Sequence, residues 1–143
     1  MTSKTVDITT VKTCWQLITI YLRQEKHEEI IDICRDMLQR IWPTVLTGQK
    51  DVKLPAHYVT ESVQIANQLA KSYFAHHCVE ETSQVYYSIF QAFRSAPKQH
   101  ERELVASARV LIAYHQSIYR YGDALKVYEA LYEVRVEVHG ASY

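Results

Sequence analysis

Residues 69 to 89, LAKSYFAHHCVEETSQVYYSI, decide the fold of this chain. Leu69 precedes Tyr73 by four residues, which places both side chains on one face of an amphipathic helix. A second apolar run at helical spacing follows through Thr82 and Tyr86. The His-His-Cys sequence between the two runs interrupts the apolar pattern. The segment therefore predicts two helices joined by a short turn.

The same spacing returns on both sides of this segment. Four positions recur at the same offsets in each copy: a leucine position, a tyrosine position, a small or β-branched position and a second buried position. The three copies are Leu17, Tyr21, Ile30 and Cys34; Leu69, Tyr73, Thr82 and Tyr86; Leu111, His115, Ala124 and Tyr128. A generic helical bundle keeps helical periodicity within each helix, but it has no reason to keep offsets across a turn. The recurrence favours three helix pairs, and a single helical bundle with aligned apolar positions is the alternative.

Three pairs predict six helices within one domain, residues 1–143. The predicted repeats are 7–43, 56–95 and 99–139. Residues 47–55 contain both glycine and proline and predict a loop. This loop accounts for the longer first interval, because 52 residues separate Tyr21 from Tyr73 and 42 separate Tyr73 from His115.

Composition agrees with a helical, non-secreted protein. The chain is 48% hydrophobic with only three glycines and three prolines, which favours long helices over hairpins. No run approaches the roughly 18 apolar residues of a membrane span, and the start lacks the apolar core of a secretion signal. We expect a cytosolic or nuclear protein, with Cys14, Cys34 and Cys78 as free thiols on or beside apolar helix faces.

Charge and motif content argue against several functions. Sixteen basic residues balance sixteen acidic ones without a basic cluster, which disfavours nucleic acid as a ligand. His76, His77 and Cys78 are adjacent, so they lack the spaced pairs of a zinc site and any visible third group for nucleophilic catalysis. Three isolated glycines cannot form a phosphate loop. We expect no catalytic residue, no metal, no cofactor and no enzyme activity, with His115 as a packed ring.

The repeated pattern resembles the tetratricopeptide repeat, in which Leu, a small residue and Tyr lie on the first helix and Ala and an aromatic on the second. Residues 121–129, YGDALKVYE, are the segment most similar to it. The interval of 42 residues is similar to the long-repeat branch found in kinesin light chains, and differs from the standard 34. The family's first-helix Trp is absent. The resemblance implies an all-α fold, a right-handed α-α superhelix of three helix-turn-helix repeats, and a role in binding other proteins.

That geometry implies a concave groove lined by the first helix of each pair. Positions two before, two after and five after the leucine turn away from the second helix, and Lys12 and Arg23 flank them. The predicted groove residues are Trp15, Thr19, Leu22, Asn67, Lys71, Phe74, Arg109, Ala113 and Gln116. Amides, cations and aromatics together suit an extended peptide with an acidic or C-terminal group. The alternative for each residue is an ordinary solvated helix face.

The last predicted helix raises a second hypothesis. A solenoid needs a polar end cap, and the residues after Gly140 offer none. The apolar set of this helix is Leu125, Tyr128, Leu131 and Tyr132. Either the chain is a piece of a longer repeat array in a scaffold or signalling protein, or this face is covered by self-association. The main prediction is a peptide-binding scaffold module, and the alternative is a structural assembly domain without a peptide ligand.

Overall fold

The computed structural model describes residues 6–140, which form six α-helices and one short 3-10 helix and contain no strand. The α-helices are α1 Ile8–Arg23, α2 His27–Ile41, α3 Val59–Ala75, α4 Val79–Arg94, α5 Glu101–Ser117 and α6 Tyr121–His139, and the 3-10 helix is Pro43–Leu46. The predicted all-α class with six helices is confirmed. Both ends of the predicted domain, residues 1–5 and 141–143, lie outside the described residues. None of the described helices is long and apolar enough to cross a membrane.

The helices pack in chain order. Each helix contacts mainly the helices before and after it, and α1 also contacts α3. Nearest-neighbour packing of this kind is typical of stacked helix pairs, whereas a closed bundle brings distant helices together around one centre. In the predicted pairing, the first helices of the pairs are α1, α3 and α5, and the second helices are α2, α4 and α6.

The turn inside each pair has the same backbone geometry in all three copies. Glu25, His77 and Tyr119 have positive φ angles of 56°, 61° and 63°. The N–H of each donates to the carbonyl three residues earlier, at 3.1, 2.9 and 3.1 Å. The N–H of the following residue donates to the carbonyl of the tyrosine position (Tyr21, Tyr73 or His115), at 3.0, 2.8 and 2.8 Å. These two hydrogen bonds form a Schellman motif, so the backbone repeats at the same intervals as the sequence.

The extra residues of the first repeat pack between α2 and α4. The Trp42 indole N–H donates to the Lys53 carbonyl at 2.7 Å, and the Gln84 side-chain amide donates to the Val45 carbonyl at 3.0 Å. Val45 and Val52 are buried. Residues 47–55 have no regular secondary structure, and α3 begins directly after Tyr58, which adopts a left-handed φ of 60°.

The ends of the stack differ from its middle. Leu69 and Leu111 are fully buried, but Leu17 at the same repeat position is exposed, because no helix among the described residues precedes α1. Tyr86 is buried, and its counterpart Tyr128 is exposed for the matching reason at α6. A repeat position is therefore buried only where a neighbouring helix covers it. His115 is buried, which confirms the predicted packed ring.

Candidate functional site

The predicted groove residues occupy equivalent positions on the three first helices. Their register sets are Trp15, Asn67 and Arg109; Thr19, Lys71 and Ala113; Leu22, Phe74 and Gln116. The helices that carry them are neighbours: α1 contacts α3, and the Phe74 ring of α3 lies 5.6 Å from the Tyr114 ring of α5. We call these nine positions, with flanking Lys12 and Arg23, the first-helix face.

Most polar groups of the first-helix face are open to solvent. Arg23, Lys71, Arg109 and Gln116 are exposed, and Asn67 is half-buried. Within residues 6–140, none of these five side chains forms a hydrogen bond or an ion pair. The amide and guanidinium donors are therefore free to bind a ligand.

Two side chains of this face have defined positions. Thr19 donates its hydroxyl to the Gln16 carbonyl at 2.6 Å, so it is already satisfied within α1. Phe74 is exposed but lies edge-on to Tyr114, with an interplanar angle of 85°. Tyr114 is in turn held by its hydroxyl, which donates to the Val79 carbonyl at 2.9 Å. Phe74 thus offers an ordered apolar anchor whose immobilisation on binding costs little entropy.

The first-helix face is positively charged. It carries four cations, which are Lys12, Arg23, Lys71 and Arg109, and no carboxylate, although the whole chain is neutral. A cationic surface with an aromatic anchor favours a ligand that pairs a negative group with an apolar side chain. Trp15, half-buried against the core, adds a second aromatic edge.

A cavity between α4 and α6 was not anticipated from the sequence. It has a volume of about 420 Å³ and is lined by both helices and by His115. In the preceding repeat, the Tyr73 hydroxyl accepts a hydrogen bond from Arg35 at 2.7 Å. In the last repeat, His115 stands in place of Tyr73 and has a shorter side chain, and Tyr87 stands in place of Arg35. The hydrogen bond between the two helices is therefore missing here. The signal in the sequence was the replacement of tyrosine by histidine.

The His115 ring has no hydrogen-bond partner at Nδ1 among the described residues. Burial lowers the pKa of this imidazole, and the neighbouring Arg120 acts in the same direction, against Asp123. A lowered pKa favours the neutral imidazole, which suits a packing role.

The apolar residues of α6 divide between two faces. Leu125, Tyr128 and Tyr132 are exposed, and Tyr121, which sequence reasoning passed over, lies exposed one turn before Leu125. Leu131 is half-buried and packs against the core, because it follows the inward face of α6. Of the predicted apolar set, Leu131 is therefore the one residue that is not exposed.

The His and Cys side chains of the described residues show no metal-binding cluster. No three His, Cys, Asp or Glu side chains of residues 6–140 are placed to hold a metal ion. The ring centroids of His27 and His76 lie 6.1 Å apart. Cys14 is buried, and burial raises the pKa of its thiol to about 11. A thiol in that environment is a poor nucleophile.

No protein-family model, curated protein or solved structure matches this chain. The resemblance to tetratricopeptide repeats therefore stays a prediction from residues and spacing. The repeated turns, the packing order and the shared register of the first-helix face are the basis for assigning a function.

Proposed function

We propose that this chain is a protein–protein interaction module that binds an extended peptide segment of a partner across α1, α3 and α5. The observation that carries the proposal is the shared register of the first-helix face, in which amide and cationic groups without internal partners flank an ordered aromatic ring. A tetratricopeptide-like cytosolic scaffold is the setting that such a module suits.

The ligand chemistry follows from the groups on this face. Arg109 can bind a carboxylate with two parallel hydrogen bonds, and Lys71 adds a flexible cation on the neighbouring helix. The Asn67 amide can donate to and accept from a peptide backbone. Phe74 supplies apolar contact for one large side chain. The expected ligand is an extended peptide with a C-terminal or side-chain carboxylate near an apolar residue.

Rigid helices favour this mode of binding. An extended peptide loses conformational entropy when it binds, so the receptor must contribute interactions without ordering itself. The polar groups of the first-helix face lie on regular helices, and Phe74 is held by Tyr114. Each lost charge-assisted contact should reduce affinity by about 1.5–3 kcal/mol, which is roughly 10- to 150-fold.

The test is a library of displayed C-terminal peptides, selected on the wild-type chain and measured by fluorescence anisotropy. We expect selected peptides to combine a free carboxylate with an apolar residue, and to bind the Lys71→Glu, Arg109→Glu variant at least about tenfold more weakly. The matched control is Lys50→Glu with Lys98→Glu, which makes the same change in net charge at exposed positions outside α1, α3 and α5.

Two comparisons complete the experiment. C-terminal amidation of a peptide bound through its terminus should weaken binding to the wild type and have little effect on the Lys71→Glu, Arg109→Glu variant. Selected peptides that bind both double variants with the wild-type affinity would show that the first-helix face is not the binding site. Affinity capture from extract with the same three proteins then identifies natural partners.

A further inference from the structure

Helix α6 is apolar on two faces. Its inner face buries Ala124, Val127 and Val134 against the rest of the molecule. Its outer face exposes Leu125, Tyr128 and Tyr132, which are spaced at i, i+3 and i+7 and so form one stripe along the helix. A helix with one packed face normally presents polar residues on the other. The outer face of α6 therefore has the composition of a packing surface.

Comparison with the equivalent face of α4 shows what kind of surface the outer face of α6 is. Tyr128 and Tyr132 lie 42 residues after Tyr86 and Phe90, which are the equivalent residues of α4. Tyr86 and Phe90 are only 9% and 1% exposed, while Tyr128 and Tyr132 are 52% and 71% exposed. Helix α5 covers the residues of α4, and the Tyr86 ring lies 5.6 Å from the Tyr114 ring. The outer face of α6 is thus the α4 surface without the helix that covers it.

The opposite end of the molecule exposes the complementary surface. Leu17 and Ile20 of α1 are equivalent to Leu111 and Tyr114, which α5 packs against α4. Leu111 and Tyr114 are 0% and 7% exposed, whereas Leu17 and Ile20 are 38% and 54% exposed. The outer faces of α6 and α1 therefore expose the two surfaces that pack against each other between α4 and α5.

A cavity of about 330 Å³ lies at the α1 end, between α1 and α2. Its lining includes Ile33 and Asp36, which are equivalent to Val127 and Ala130 of α6. Val127 and Ala130 line a cavity together with Phe90 of the preceding pair. By this equivalence, the residue that belongs next to Ile33 and Asp36 is the counterpart of Phe90, which is Tyr132.

We propose that copies of this chain associate head to tail, with the outer face of α6 in one copy packing against α1 and α2 of the next copy, as α4 packs against α5. Tyr132 then enters the cavity between α1 and α2. Asp36 stands where the internal interface has Ala130, so the Tyr132 hydroxyl can donate to its carboxylate. The argument for this association does not rest on the peptide binding proposed for the first-helix face.

The symmetry of this contact distinguishes it from other dimers. Two different surfaces meet, so each added copy leaves one free surface at either end, and assembly continues beyond the dimer unless a ring closes. A two-fold pair of α6 helices would use one surface twice and would stop at two copies. The mass of the assembly and its response to variants at each end therefore identify the contact.

The test is sedimentation equilibrium of the full chain from micromolar to millimolar concentration. We expect the average mass to rise from the 16.7 kDa monomer to values beyond the dimer. Leu17→Glu and Tyr132→Glu should each be monomeric, because each removes one half of the contact. A mixture of these two variants retains one good interface per pair, so it should form a 1:1 dimer and no larger species. Ile20→Glu and Tyr128→Glu repeat the test at the neighbouring residues.

Tyr87→Glu is the matched control, because Tyr87 is an exposed aromatic residue of α4, away from both end surfaces. It should assemble like the wild type. Circular dichroism establishes that each variant is folded, and exposed positions make this the expected result. A monomer mass that does not change with concentration overturns the proposal. So does a dimer that survives Leu17→Glu and is lost in Tyr132→Glu, which would be a two-fold pair of α6 helices.

Discussion

Glycine at the three turn positions with positive φ should stabilise this protein. Glu25, His77 and Tyr119 all occupy the left-handed region, where a Cβ atom crowds the following carbonyl oxygen. Their side chains are exposed, so the folded state loses little contact when they are removed. Each turn keeps its two Schellman hydrogen bonds, because both are made by the backbone. Glycine is the residue that most often takes this position.

The size of the effect follows from two opposing terms. The left-handed conformation costs a residue with a Cβ atom about 1–2 kcal/mol. Glycine offsets about 0.5–1 kcal/mol of this gain, because it increases the conformational entropy that the unfolded chain loses on folding. The net gain is about 0.5–1 kcal/mol per turn. The three turns belong to different helix pairs, so their effects should add to about 2 kcal/mol, or about 4–8 °C in the melting temperature.

The assay is thermal and urea unfolding followed by circular dichroism. Alanine variants at the same positions remove the side chain and keep the Cβ atom, so they should leave the stability within about 0.5 kcal/mol of the wild type. Ala106→Gly, at an exposed position within α5, should lower the stability by about 1 kcal/mol. If the alanine variants gain as much as the glycine variants, or if the glycine variants gain nothing, backbone strain at the turns is not the reason.

Three further outcomes are expected. Tyr73→Phe removes a hydrogen bond to α2 and should lower the free energy of unfolding by about 1 kcal/mol, while Tyr21→Phe, which loses no hydrogen bond within residues 6–140, should not. Ellman's reagent should label Cys78 at least about tenfold faster than Cys14, whose burial raises its pKa to about 11. Burial lowers the pKa of His115, so stability should fall as the pH drops below 6.5, and His115→Phe should remove that part of the loss in urea unfolding at several pH values.

The helices were predictable because their signal is local and repeated. Apolar residues at helical spacing identify each helix, and equal offsets across the turns identify the pairs. Local side-chain chemistry also marks the start of α1, where the Asp7 carboxylate accepts a hydrogen bond from the Thr10 N–H at 2.8 Å. The turns were less visible, since the usual signal is a glycine and these positions hold Glu25, His77 and Tyr119.

The positions of the candidate site residues along each helix could be predicted from the sequence, but their contacts with other helices could not. Helical spacing places Lys71 and Phe74 on one side of α3 without knowledge of any partner. The contact of Phe74 with Tyr114 joins residues 40 positions apart, and its geometry depends on how α3 and α5 pack. The exposed Leu17 shows the same limit, since a repeat position is buried only where a neighbouring helix covers it.

The two proposed activities use different surfaces, but one affects the other. In a head-to-tail assembly, α1 of the second copy takes the position beside α5 of the first that α5 holds beside α3. Trp15 of the second copy then lies in line with the equivalent residues Asn67 and Arg109 of the first copy. The peptide-binding surface therefore extends across the contact between the two copies. A peptide long enough to reach both copies gains affinity from the second one without a new kind of contact. A short peptide gains nothing, so Leu17→Glu should weaken the binding of long peptides only, whereas Lys71→Glu with Arg109→Glu weakens the binding of both.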